Sequence, residues 1–212
     1  MKNLFYSLAM FCLFVSCKET KKEIKLTNAQ KIANAHGFEH WKNVTEVEFN
    51  FSGKRHWKWN PKTNDIIYTK DTISISYNRA TVDSTTIQID RAFVNDKFWL
   101  LIPFQLIWDE GLTLSKPIIA KAPISNRDLN KITMTYSNTG GYTPGDAYDL
   151  FYNDNYIIEE WIFRRGNSTE PTLINTFENY QDFNGIKIAL DHKNPQSDWS
   201  LNFKDVKISV HK

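Results

Sequence analysis

Glu46-Val47-Glu48-Phe49-Asn50-Phe51 puts Val47, Phe49 and Phe51 on one side of an extended chain and Glu46, Glu48 and Asn50 on the other. A period of two marks a strand with one buried face and one face that is wet or lines a groove. The alternation recurs at Ile73, Ile75 and Tyr77, at Ile87 and Ile89 (with Gln88 and Asp90 between and after them), at Ile132, Met134 and Tyr136, and at Tyr148, Leu150 and Tyr152. Three more runs follow: Ile186, Ile188 and Leu190; Trp199, Leu201 and Phe203; Val206, Ile208 and Val210. Turn signals such as Ser52-Gly53, Asn60-Pro61, Asn95-Asp96, Arg165-Gly166-Asn167 and Asn184-Gly185 separate the runs. Roughly ten short strands at hairpin spacing result, the pattern of an antiparallel meander, sandwich or barrel. The expected class is mainly β (α+β): a strongly curved antiparallel sheet or incomplete barrel. Strands do not alternate with long helices, which excludes a doubly wound sheet.

Two stretches depart from the alternation. Thr27 is an N-cap for a helix whose apolar stripe is Ala29, Ile32, Ala33 and Ala35, with Gly37 as its stop. Phe38 to Lys42 adds a further turn and brings Trp41 onto the sheet. Lys97 to Trp108 (KFWLLIPFQLIW) is apolar on all sides and contains Pro103, so it is no regular surface strand. It is expected to be a buried helical plug in the open side of the sheet, or a lid over a cavity.

The N-terminus reads as an address. Lys2 precedes an uncharged run from Leu4 to Val15, then small Ser16 and Cys17. That run is shorter than the roughly 20 residues a spanning helix needs. The layout is that of a bacterial lipoprotein signal, cut before Cys17, whose sulfur then receives a diacylglyceryl group. Phe14 stands where such signals prefer Leu, Val or Ile. Residues 1–16 are the expected signal, 17–26 the lipidated start and charged tether (KETKKEIK over Lys18 to Lys25), and 27–212 a single domain. The protein is expected at the outer membrane of the cell envelope, held by its lipid. Cys12 would leave with the signal and Cys17 would be consumed by the thioether, leaving no disulfide and no Cys-ligated metal.

Lys and Arg number 26 against 24 Asp and Glu, a net charge of +2 that loss of Lys2 lowers to +1. That balance provides no footprint for nucleic acid. Seven tryptophans and 14% aromatic residues exceed what a core of this size ordinarily uses, which points to a ligand cavity. Arg55, Trp57 and Trp59 share one strand face. Together with Trp99, Trp108, Asp146, Tyr148 and Trp161 they form the candidate lining of an apolar groove; the alternative is that they fill the core.

Motifs for chemistry are sparse. The five histidines form no metal set, and no nucleophile elbow or phosphate-cradling glycine loop is present. No cofactor is expected. Carboxylates cluster at Asp109-Glu110, Asp146 and Asp149, and Glu159-Glu160. Paired carboxylates can cleave a glycosidic bond, but neighbours on a strand point to opposite faces, so Glu159 and Glu160 cannot share a site.

Gly37-Phe38-Glu39-His40-Trp41, Arg55-His56-Trp57-Lys58-Trp59, Asn95 to Phe104, Trp108-Asp109-Glu110-Gly111 and Thr143-Pro144-Gly145-Asp146-Ala147-Tyr148-Asp149 resemble an uncharacterised family of Bacteroidetes lipoproteins. That resemblance implies no activity and no catalytic residues. The layout of leading helix, meander strands and apolar insert is also similar to the Lol-type lipoprotein carriers and receptors, LolA and LolB. It implies an incomplete barrel that holds acyl chains, with function resting on fold analogy. The expected role is non-catalytic binding of an apolar or amphiphilic, acyl-chain-like ligand in an aromatic-lined concave sheet. The alternatives are a structural or protein-interaction component of the envelope and, third, a hydrolase using Asp109, Asp146 or Asp149.

Overall fold

The computed structural model describes residues 25–139 and 144–211. Cys17, the signal segment 1–16 and most of the tether lie outside the described residues.

Helix α1 (Asn28–Ala35) starts on a capping box: Thr27 Oγ1 accepts from the Gln30 amide at 3.2 Å, and Gln30 Oε1 accepts from the Thr27 amide at 2.8 Å. Its buried stripe is Ala29, Ile32 and Ala33. Gly37 at φ 90° ends the helix, and a 3-10 turn over Phe38–Asn43 lays Trp41 against Trp59, ring centroids 5.6 Å apart. A Cβ on Gly37 would stand 1.8 Å from the Gly185 carbonyl oxygen. That contact seats α1 on the turn before Ile186, where the Lys187 amide donates to the His36 carbonyl. Gly37→Ala combines a forbidden φ with a backbone clash, so a loss of at least about 2 kcal/mol is expected. For a domain of this size that is a drop in Tm of about 4–8 °C by calorimetry; an unchanged Tm would contradict this packing.

Among the described residues thirteen strands, rather than roughly ten, form two antiparallel sheets. The larger runs in the order β11 (Glu178–Phe183), β12 (Ile186–Lys193), β13 (Ser200–Val210), β1 (Val44–Phe51), β2 (Arg55–Asn60), β3 (Asp65–Lys70), β4 (Ile73–Asn78). The smaller runs β10 (Leu173–Thr176), β9 (Ile158–Arg164), β8 (Ala147–Tyr152), β7 (Asp128–Tyr136), β5 (Leu112–Leu114), with β6 (Ile118–Lys121) also on β7. Phe177 bridges the sheets between β10 and β11. Its amide donates to the Glu159 carbonyl at 2.7 Å, and its ring sits against Trp161 and His192 at 5.5 and 4.6 Å. The far edges, β4 and β5, do not pair, so the barrel stays incomplete.

The apolar insert is helical: α2 (Ile87–Leu100) and α3 (Ile102–Trp108), with Pro103 in the first turn of α3, where no backbone donor is missed. These helices fill the space between the sheets. Phe93, Leu100, Leu101 and Phe104 pack into the seven-stranded side; Phe98, Ile102 and Leu106 pack into the other, and Trp99 touches both. The expected strand at Ile87 and Ile89 is therefore corrected to the start of α2. Before it, the Asp83 carboxylate accepts from the amides of Thr85 and Thr86, and Thr86 Oγ1 accepts from the Asp83 amide. That turn launches a helix, and the Ile pair is too short to outweigh it.

Candidate functional site

Helix α2 has two working faces. Phe93, Asp96 and Leu100 are buried on one. Arg91, Val94, Asn95, Phe98 and Trp99 follow the i, i+3, i+4, i+7, i+8 spacing of a single stripe and line a groove of about 740 Å³. The opposite wall is the six-stranded sheet, through Tyr148 on β8, Trp161 and Phe163 on β9, and Leu173 on β10. Pro144, Asp146 and Arg165 complete the lining.

The floor is a ladder of rings. Tyr148 stacks on Phe163 at 5.0 Å, Phe98 lies 4.9 Å from Tyr148, and Trp99 meets Trp161 edge-on at 4.4 Å. Trp161 is 1% exposed and donates its Nε1–H to Asn175 Oδ1, so its polar edge is satisfied behind the wall. The cavity therefore meets ring carbons rather than indole N–H at this point. The size lies within the range of small-molecule sites, about 300–1,000 Å³.

Of the eight residues read from the sequence as lining, Trp99, Asp146, Tyr148 and Trp161 meet in this groove. Arg55, Trp57 and Trp59 do not, which corrects the grouping. Trp57 is fully buried and Trp59 is 6% exposed in the core of the seven-stranded sheet, beneath the other face of α2. The cause is the buried Asp96 carboxylate. Arg55 Nε and Nη2 each donate to it at 2.7 Å, and Trp57 Nε1 donates at 2.8 Å. Trp108 lines a separate, smaller cavity of about 280 Å³ with Trp41, Trp59, Pro61, Lys97 and Asp109. There burial pushes the Lys97 amine down to about 8, partly offset by Asp109. Burial also raises the Asp109 carboxyl, against a hydrogen bond from Tyr136.

The carboxylates are spent on structure. Asp146 Oδ1 accepts from the Gly166 amide at 2.8 Å; Asp149 pairs with Arg164 and accepts from Thr133 Oγ1; Glu160 accepts from the amides of Ile124 and Ser125. Asp109 and Asp146 line different cavities.

Sequence reading missed Arg91, Val94, Asn95, Phe98, Phe163 and Arg165. The first four fall on one helical stripe with Trp99, which shows only once α2 is known to reach back to Ile87. Arg165 and Phe163 carry no signal outside the fold.

No protein-family model and no curated protein matches the chain. Among solved structures it is similar to a DUF1329 family protein from Desulfovibrio piger, at 8% identity and a TM-score of 0.41, over 86% of this chain and 92% of that one.

Proposed function

We propose that this protein binds an acyl-chain-like ligand in the groove between α2 and the six-stranded sheet, without catalysis, as a lipoprotein of the cell envelope anchored through Cys17. The observation that carries the proposal is the aromatic cleft itself: about 740 Å³ between a helix and a sheet whose ring faces are not fully covered by one another. Val94, Phe98, Trp99, Tyr148, Phe163 and Leu173 offer a straight alkyl chain apolar contact along the cleft, and the polar lining residues Arg91, Asn95, Asp146 and Arg165 suit the polar end of an amphiphile. The similarity of layout to the Lol-type carriers points the same way. The N-terminal sequence supports the envelope placement, and a tether of charged residues would hold the domain close to a source of acyl chains.

The test uses a Cys17→Ala variant purified without detergent, examined by native mass spectrometry and by titration with a fluorescent fatty acid. A single bound equivalent is expected. Val94→Trp should fill the groove and weaken uptake at least about tenfold, the loss of a few buried methylenes, while leaving Tm unchanged. Absence of any uptake by the unplugged protein would overturn the proposal.

A further inference from the structure

We infer that the cavity between Trp41, Trp59 and Trp108 is a second binding site, which takes one neutral sugar ring, a pyranose, between its indoles and the polar pair Lys97 and Asp109. The inference is independent of the acyl-binding reading, which concerns the other face of α2.

Four elements meet at this cavity. Trp41 comes from the 3-10 turn after α1, Trp59 from β2, Lys97 from α2 and Trp108 from the last position of α3, with Pro61 and Asp109 directly beyond β2 and α3. The Trp41 ring lies 5.6 Å from Trp59 at 40° and 5.1 Å from Trp108 at 64°, so the three rings are tilted walls rather than a flush stack. About 280 Å³ is left among them. That falls just short of the about 300–1,000 Å³ of drug-sized sites, which is room for one ring and not for a long chain. Trp41, Pro61, Lys97, Trp108 and Asp109 keep partial exposure, so the cavity opens at the surface.

Its polar groups are unspent. Lys97 Nζ lies over the Trp108 ring, 5.2 Å from the centroid, and Asp109 Oδ2 accepts from Tyr136. Among the described residues Lys97 and Asp109 form no ion pair, with each other or with a third group, and no protein donor reaches Asp109 Oδ1. The ammonium thus has three donors and no protein acceptor. The Trp59 Nε1–H is likewise buried with no partner among the described residues, in a side chain that is 6% exposed.

A cation and an anion that line one cavity without touching leave a gap whose charges cancel. A hydroxyl suits that gap, because it accepts from the ammonium and donates to the carboxylate. An anion attracted by Lys97 meets Asp109, and a cation attracted by Asp109 meets Lys97, so either one gains from one wall and loses at the other. A zwitterion could answer both charges, but its ammonium would compete with Lys97 for the indole faces. A pyranose carries hydroxyls around its rim and C–H groups on its faces, and the latter lie well against the electron-rich face of an indole.

The experiment titrates the Cys17→Ala protein, by calorimetry and by tryptophan fluorescence, with the methyl glycosides of glucose, galactose and mannose, with cyclohexanol as an apolar ring bearing one hydroxyl, and with phenylalanine as a zwitterion. At least one glycoside is expected to bind in the millimolar range, about tenfold or more tighter than cyclohexanol, and to change the fluorescence. Lys97→Met keeps the aliphatic stem over Trp108 and should weaken that glycoside about tenfold, the loss of one charge-assisted hydrogen bond. Asp109→Asn still accepts from Tyr136 and should act likewise. Saturating dodecanoate should not displace the glycoside. No glycoside binding up to about 100 mM would overturn the site, as would cyclohexanol or phenylalanine binding as tightly as the best glycoside. Unchanged glycoside affinity in both variants, with Tm unchanged, or displacement by dodecanoate would overturn its placement in this cavity.

Discussion

Acidification from pH 7 to pH 4 is expected to withdraw about 6 kcal/mol of stability through two buried histidines alone. His36 and His192 are both fully buried. Burial pushes each imidazole down to about 4. For His36, the hydrogen bond to the Ile32 carbonyl works against that shift, and Lys187 works with it. For His192, the bond to the Thr176 carbonyl and the charges of Asp191 and Glu178 work against it. Nδ1 of His36 faces the Ile32 carbonyl at 2.8 Å, and Nε2 lies 3.3 Å from Tyr180 Oη and 3.5 Å from the Ile158 amide, with no carboxylate among the described residues in contact. Above the ordinary value of 6.5 neither folded nor unfolded chain binds these protons, and stability is flat. Between 6.5 and 4 the unfolded chain takes up two protons that the folded chain refuses, and stability falls at about 3 kcal/mol per histidine. Against a typical total of about 5–15 kcal/mol, that brings the domain close to its midpoint. Urea melts at pH 7, 5.5 and 4, followed by tryptophan fluorescence, will show the loss. His192→Leu should halve the pH slope. A midpoint constant across that window would mean that the imidazoles are not protected as described. Asp83, pulled down to about 2 by Thr85 and Thr86, acts in a separate and lower window, because its bonds are lost as pH falls through its own folded value.

Asp96→Ala is expected to cost about 3–5 kcal/mol, since it strands a half-buried guanidinium and a buried indole N–H together. The side chain of Asp96 has 0% exposure and that of Arg55 27%, and the pair is completed by Trp57 and by Asn95 Nδ2 at 3.0 Å. Arg55→Leu alone should be comparably harmful, as it leaves the carboxylate buried without its main partner. The Arg55→Leu/Asp96→Ala double variant should cost clearly less than the two singles summed. Chemical denaturation of the four proteins gives that cycle. A cost below about 1 kcal/mol for Asp96→Ala would show that the pair is not what fixes α2 against β2.

The strands were legible because their outer faces are wet. Val47, Phe49 and Phe51 are buried and alternate with partly exposed Glu46, Glu48 and Asn50, as the period of two requires. Helix α1 was legible down to its cap, because Thr27 and Gly37 act locally. Helix α2 was not, since it is sandwiched: apolar residues on both its faces blur the period that a one-sided helix shows. The C-terminal strand hid a different device. Trp199, Leu201 and Phe203 sit at odd positions, and Val206, Ile208 and Val210 at even ones, which reads as two strands. From Leu201 to Val210 they belong to one strand, β13, which Trp199 immediately precedes, with a bulge at Asp205, φ 54°, that shifts the register against β1 and turns Ile208 back inward after Phe203. The groove was half legible. Tyr148 and Trp161 announce themselves as large rings on inward strand positions. Arg165 could not be told from Arg164, because the pairing of β8 with β9 brings Asp149 to Arg164, whereas Arg165 lies in the turn that follows.

Trp99 stands between Trp161 and Trp199, with centroids 4.4 and 5.8 Å away. Three indoles this close share their excited states, and this trio, unlike the one formed by Trp41, Trp59 and Trp108, sits where α2 meets both sheets. Light absorbed anywhere in that trio reports on the spacing of helix and sheet, and the molecule thereby carries its own optical gauge at the wall of the cleft.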